Sequence, residues 1–192
     1  MMAVTKLPPT GAAFSDTSSA GSSPLLPSQS KVVVVLVEPQ IPENTGNIRR
    51  LITCTGADLW IVGKTGFQLD DKKLKRCAMD YADMSDYTHT YRFEDVLEAY
   101  PRATPFFLSS NATQGLWDAP FPEEVILVFG SETKGLPIPF VQRMKHQAIR
   151  IPMVPEPEGR SLNLANAVSI VLYEVLRQHK LIESQPFSTD LR

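Results

Sequence analysis

An Asn44-Thr45-Gly46-Asn47 turn, followed by Arg49 and Arg50, lies just beyond the apolar run VVVVLV at Val32 to Val37. Asn44 can cap a helix that Gly56 closes in the left-handed conformation. Paired arginines on the first turns of such a helix oppose its dipole, so their presence points to an anionic partner such as phosphate. A second polar segment, GSETKGLP from Gly130 to Pro137, follows the apolar run VILVF. It lacks the Gly-Lys-Ser/Thr ending of a phosphate-cradling P-loop, which argues against a nucleoside triphosphatase. Two readings remain for it: an ordinary strand-to-helix connection, or a glycine-bearing loop whose backbone approaches a ligand closely. A third segment, IPMVPEPEGRSLNLANAV from Ile151 to Val168, ends a Pro-rich loop at Ser161. Ser161 is a suitable N-cap. Asn163 and Asn166 then fall on one face of a helix otherwise suited to burial, where an amide needs partners.

Composition narrows the chemistry. A chain of 192 residues, 43% hydrophobic, can bury one core, so a single domain is expected. A formal net charge of -2 excludes a broad nucleic-acid coat and restricts any RNA or DNA contact to a local patch. The two cysteines, Cys54 and Cys77, have no metal-ligand or CxxC spacing and the three histidines are scattered, so no metal site is expected. The longest apolar run falls far short of the roughly 20 residues that span a bilayer, so no membrane partner is expected.

These segments must be positioned by a larger scaffold. Strands are predicted at Val32 to Val37, Leu59 to Val62, Pro105 to Ser110, Val125 to Gly130 and Ala148 to Met153. Helical patterns fall between them, near Asn47 to Cys54, Asp71 to Ala78, Phe93 to Tyr100 and Pro139 to Lys145, and at Leu162 to Gln178. Continuously apolar strands alternating with helices predict an α/β fold, a mostly parallel sheet with helices on both faces. Ligands then bind beyond the carboxyl ends of strands, where the three polar segments fall. Residues 1–30, rich in Ser, Thr and Pro, read as a disordered tail before a domain at 31–182, with a second short tail at 183–192. The Ser-rich tail also fits an organelle transit peptide, although Lys6 is its only basic residue. The protein is expected in the cytoplasm, with an organelle as the alternative. Trp60 and Trp117 are expected in the core.

Five segments in order, EPQIPENTGNIRRL, DDKKLKR, FGSETKGLP, IPMV and RSLNLANAVSIVLYE, resemble the SPOUT superfamily of RNA methyltransferases. In particular they resemble the tRNA (cytidine(34)-2'-O)-methyltransferase family, small enzymes that methylate the ribose of the wobble nucleotide. The resemblance covers about Val32 to Lys180. Arg49 stands where an apolar residue is usual, and the Pro155 to Gly159 loop is slightly longer. The likeness implies a deep C-terminal trefoil knot, a homodimer, and a tRNA anticodon stem-loop as substrate.

Carried over residue by residue, the resemblance implies that S-adenosylmethionine is held by Leu108, Gly130, Ile151 and Ser161, with Asn163 beside them. Glu132 would face the cationic sulfonium or order its own loop. Arg50 would sit at the ribose, with Asn44 shaping the same site. A guanidinium with a pKa above about 12 is a poor proton acceptor. Arg50 is therefore expected to stabilise the developing alkoxide and clamp the neighbouring phosphate. Arg49 and the cluster Lys72, Lys73, Lys75 and Arg76 are the expected RNA contacts, set against a solvated-helix reading of the cluster. Methylation of another tRNA or rRNA ribose is the alternative function, and a non-catalytic RNA-binding module is the second.

Overall fold

The computed structural model describes residues 31–69, 87–143, 146–154 and 162–179. Both expected tails, the expected helix with Lys72, Lys73, Lys75 and Arg76, and Ser161 lie outside the described residues. A seven-stranded sheet runs through them in the order β3-β2-β1-β6-β4-β7-β5, and every paired neighbour is parallel. The strands are β1 (Lys31–Val37), β2 (Asp58–Val62), β3 (Tyr87–Thr90), β4 (Thr104–Leu108), β5 (Gln114–Gly115), β6 (Glu124–Phe129) and β7 (Ala148–Arg150). The helices are α1 (Pro42–Thr55), α2 (Phe93–Ala99), α3 (Ile138–Arg143) and α4 (Leu164–Gln178).

Strand β1, inside the sheet between β2 and β6, explains why the sheet is two-sided. Alternate side chains of a strand point to opposite faces. Val32, Val34 and Leu36 pack with Ile48 and Ile52 of α1 and with Val168, Val171, Leu172 and Val175 of α4. Val33, Val35 and Val37 pack on the other face with Phe93 and Val96 of α2 and against Phe140 of α3. Both faces of β1 are covered, so both sets of positions must be apolar. Each fully buried branched side chain contributes about 1.5–3 kcal/mol, so a charge anywhere from Val32 to Val37 would break the core.

Several boundaries differ from expectation. Helix α1 begins at Pro42, five residues before the expected start, because Pro at the first position is pre-set for a helix and its missing N–H has no partner to lose. Asn44 is therefore inside the first turn, and Ile41 is the N-cap residue without a side-chain cap. Gly56 does close the helix at φ 72°, donating its N–H to the Ile52 carbonyl. Strand β7 stops at Arg150 because Pro152 has no N–H to extend a ladder. The predicted helix start at Leu162 moves to Leu164, and Asn163 rather than Ser161 is the N-cap residue. Trp60 is buried as expected, its indole N–H donating to the Tyr100 hydroxyl at 3.3 Å. Trp117 is 55% exposed, on a 3-10 turn at Leu116–Asp118 that buries Leu116 instead.

Helix α4 is fastened at its far end by a polar cluster. The buried carboxylate of Glu174 accepts two hydrogen bonds from the Arg177 guanidinium, both 2.8 Å, and one from the Gln178 amide at 2.8 Å. Gln178 in turn donates to the Ala119 carbonyl at 3.0 Å and accepts from the Phe121 N–H at 3.2 Å. The Arg177 hydrogen bonds hold the Glu174 carboxyl below its ordinary value against the opposing effect of burial. A carboxyl depressed in the folded state stabilises above its unfolded pKa, and that contribution is lost as pH falls through the folded value. Glu174→Gln should therefore lower stability by about 1–2 kcal/mol at neutral pH. Urea titrations should show this deficit shrinking below the ordinary carboxylate range; a deficit that persisted at low pH would remove the charge from the account.

Candidate active site

The three polar segments meet through one hydrogen-bonded relay. Glu132, in the loop after β6, accepts from the Gln40 N–H at 2.9 Å and the Ile41 N–H at 3.2 Å. Its carboxylate thus caps α1 from outside, supplying acceptors to donors that Ile41 cannot serve and placing negative charge at the helix's positive end. Glu132 also accepts from the Asn44 amide nitrogen at 2.9 Å. That nitrogen faces an acceptor, so the Asn44 oxygen faces the other way and accepts from the Asn163 amide nitrogen at 2.8 Å. Asn163 is left with its own oxygen free to accept from the N–H groups of Ala165 at 2.9 Å and Asn166 at 3.4 Å, which caps α4. These hydrogen bonds tie the β6 loop to the start of α1.

Beside the relay, at the carboxyl ends of β4, β6 and β7, lies a cavity of about 440 Å³. Leu108, Gly130, Glu132 and Ile151 all line it, so four of the residues expected to hold a cofactor share one wall system. Its volume falls within the range of small-molecule sites, about 300–1,000 Å³. Apolar groups from Leu136 and Leu164 face polar ones from Ser109 and Asn111, and Lys134 and Arg150 bring cations to the rim. These last four escaped sequence reasoning. Their only signal is position, in each case at or after a strand's carboxyl end.

Gly130 lines the cavity and also answers to its own loop. A Cβ there would come within 2.1 Å of the Gly135 carbonyl carbon and 2.3 Å of the Leu136 nitrogen. The loop folds back on itself through the Ser131 and Gly135 backbone pair, 3.1 and 3.0 Å, and Gly130 lies beneath the returning strand of chain. Close approach is required, but by the protein's own backbone.

The remaining predicted residues are placed less centrally. Asn163 is not among the cavity-lining residues and acts through Asn44. Arg50 is exposed on α1 and is likewise outside the cavity lining. Arg49 is half-buried, its guanidinium 5.1 Å from the centre of the Tyr87 ring, which gives it a cation–π contact within the fold. Among the described residues no cluster of His, Cys, Asp or Glu is arranged to hold a metal, and no helix is long and apolar enough to cross a membrane.

Gly130→Ala should displace the loop that forms the cavity wall and weaken S-adenosylmethionine binding at least about tenfold while circular dichroism stays native. Gly135→Ala is the contrast. Gly135 has φ 66° and open space where a Cβ would go, so its substitution should cost about 1–2 kcal/mol of stability and leave the wall intact. Calorimetric titration of both variants with the cofactor checks the pair, and equal binding losses would mean that loop strain, not the steric block, controls the cavity.

Comparison with known proteins gives this geometry a context. The chain is 42% identical over 146 residues to the tRNA (cytidine(34)-2'-O)-methyltransferase of Escherichia coli K12, covering 76% of this chain and 92% of the relative. A solved structure concerning the 2-OH methylation of C/U34 on tRNA superposes with a TM-score of 0.72 at 37% identity, covering 79% of this chain and 98% of the other. An AdoMet-bound rRNA methyltransferase from Sinorhizobium meliloti is 26% identical with a TM-score of 0.64, covering 81% of this chain and 60% of that one. The model of the SpoU rRNA Methylase family matches residues 31–173, from the first strand well into α4 and across every loop of the relay, and the chain belongs to that family.

Proposed function

We propose that the protein transfers a methyl group from S-adenosylmethionine to the ribose 2′-hydroxyl of the wobble nucleotide, position 34, in the anticodon loop of tRNA. The observation that carries this reading is the convergence of the Asn44, Glu132 and Asn163 segments beside one cavity that Leu108, Gly130 and Ile151 line. The 42% identity to the Escherichia coli enzyme supports the choice of nucleotide. The cavity fits the cofactor by volume and by its apolar wall, and Leu108, Gly130 and Ile151 would hold it together with Ser161. When bound, the cofactor supplies an electrophilic methyl group on a sulfonium.

The chain's own residues then position and stabilise. Glu132, with its acceptors turned to α1 and Asn44, holds the relay that keeps α1 at the cavity's edge. Arg50, exposed on that helix, faces the ribose and its phosphate and stabilises charge developing on the attacking oxygen. The guanidinium stays protonated throughout, so the hydroxyl proton passes to a phosphate oxygen or water.

The reading extends to a knotted C-terminal part and a two-fold dimer. The knot is supported by Ile149, which pairs with Leu108 on one side and Gln114 on the other, so that β7 runs between two strands that adjoin in sequence. The dimer is supported by apolar side chains left exposed at Ile41, Leu162 and Tyr173, on or next to α1 and α4.

Incubating the protein with labelled cofactor and total tRNA, then mapping the methylated nucleotide, tests the function; label in rRNA or at another tRNA ribose would refute the assignment to position 34. Arg50→Ala should reduce kcat at least about 100-fold while leaving cofactor affinity within a few fold, the pattern expected when one transition-state donor is removed. Arg50→Lys should recover little, because a point charge lacks the planar fork. A parallel loss of cofactor binding would assign Arg50 to the cavity instead. Replacing Lys72, Lys73, Lys75 and Arg76 with Gln should raise KM for tRNA and flatten its log–log salt dependence by roughly 0.7–0.9 per lost phosphate contact. An unchanged slope would return the cluster to a solvated surface.

A further inference from the structure

A second cavity, about 270 Å³, opens at the carboxyl ends of β1, β2 and β3, on the other side of the loop that walls the first. Leu136 lines the first cavity and Pro137 the second. Consecutive Cα atoms are about 3.8 Å apart, so the two spaces are neighbours along a single edge of the sheet. Phe93 and Phe140, ring centroids 5.1 Å apart in an edge-on contact, form an apolar wall. At the mouth stands Tyr91, 71% exposed, touching His89 edge-on with ring centroids 5.0 Å apart. An aromatic ring that exposed makes little contribution to the core, and its π-face remains available to a flat ligand.

Three charged groups, Glu38, Arg92 and Glu94, line the same space. Arg92 lines the same cavity, its side chain 62% exposed and turned loosely toward Asp95 at 3.6 Å and Glu98 at 4.0 Å. Glu38 is the only non-glycine residue with positive φ among the described residues, at 50°. That conformation is uncommon for a long side chain and marks a backbone held by its surroundings. Its N–H donates to the Val62 carbonyl at 2.9 Å and its carbonyl accepts from the Gln40 side chain at 2.6 Å. The result lays the Glu38 side chain over Gly63, where a Cβ would approach the Glu38 Cγ to 2.9 Å. Glu38 and Gly63 are both part of the cavity wall.

We propose that this second cavity is a subsite for one unstacked nucleobase of the RNA substrate, next to the nucleotide being methylated. The base stacks on Tyr91, the Glu38 carboxylate accepts from an exocyclic amino group, and Arg92 reaches the adjoining phosphate. An aromatic platform, an acceptor-only side chain and a cation around a space suited to a single heterocycle match single-stranded RNA recognition. The acceptor favours bases with an exocyclic amino donor, adenine, cytosine and guanine, over uracil. The assignment rests on the RNA-methyltransferase reading above.

The test uses the full-length protein with a fluorescein-labelled anticodon stem-loop RNA and with tRNA. Tyr91→Ala should raise both the anisotropy Kd for the stem-loop and KM for tRNA about tenfold, the scale of one lost base stack. Both kcat and the S-adenosylmethionine Kd should stay within about twofold of wild type, since Tyr91 does not line the first cavity. Tyr91→Phe should restore wild-type RNA affinity. Glu38→Asn, which tolerates the left-handed backbone, should weaken binding of a stem-loop with adenine or cytosine beside the target but not of one with uracil there. Unchanged RNA affinity in Tyr91→Ala, or an equal loss in Tyr91→Phe, would overturn the subsite. Failure of the wild type to methylate any tRNA would refute the function instead, and the anisotropy measurement would still decide the subsite.

Discussion

A carboxylate can only accept hydrogen bonds, and that restriction at Glu132 orients everything around the first cavity. It decides which end of the Asn44 amide points toward the β6 loop, and Asn44 then decides which end of Asn163 is left to cap α4. Three segments far apart in the chain are thereby given one relative arrangement with no freedom to flip any member. A neutral partner at position 132 would remove that directionality, because an amide there could donate as well as accept. The cap on α1 depends on the same group, since Ile41 offers no side-chain acceptor of its own.

The relay works because both ends of α4 are fixed by different means. At its N-terminus Asn163 binds Asn44, and at its C-terminus Glu174 and Gln178 fasten the last turns to the Ala119 and Phe121 backbone. Between them Val168, Val171, Leu172 and Val175 are fully buried against the sheet. Such a helix resists both sliding and rolling, so a shift of α1 would have to break the relay rather than carry α4 with it. On the opposite face α2 and α3 pack on Val33, Val35 and Val37, which leaves the carboxyl edge of the sheet as the place where polar groups converge.

The parts legible in the sequence are those whose signal is local. The run VVVVLV announces a strand buried on both faces, and the spacing of Leu164, Val168, Val171, Leu172 and Val175 announces α4. Strand β3, with the sequence YTHT, carries no apolar alternation because it lies at the sheet's edge, and β5 is only two residues long. The relay was legible only in its members. Asn44 and Asn163 are 119 residues apart and Asn44 and Glu132 are 88 apart, so no spacing rule reports that they touch. In the sequence Asn44 resembles a cap because Asn near a helix start usually is one; Pro42 starts the helix earlier and leaves Asn44 to another task. Gly130 is legible as a point of close approach, but which backbone approaches is a property of the folded loop.

One segment, Gly130 to Pro137, therefore answers to several demands at once. Gly130 must stay without a side chain, Glu132 must cap α1 and orient Asn44, and Gly135 must hold φ 66° to turn the chain back. Leu136 and Pro137 then face different cavities from adjacent positions. These demands are coupled through the Ser131 and Gly135 backbone pair, which sets how far the returning chain stands from Gly130. A change that loosened that pair would alter the first cavity's wall, the cap on α1 and the partition between the two cavities together. The loop is thus a shared wall, and the position of α1 relative to each cavity follows from its shape.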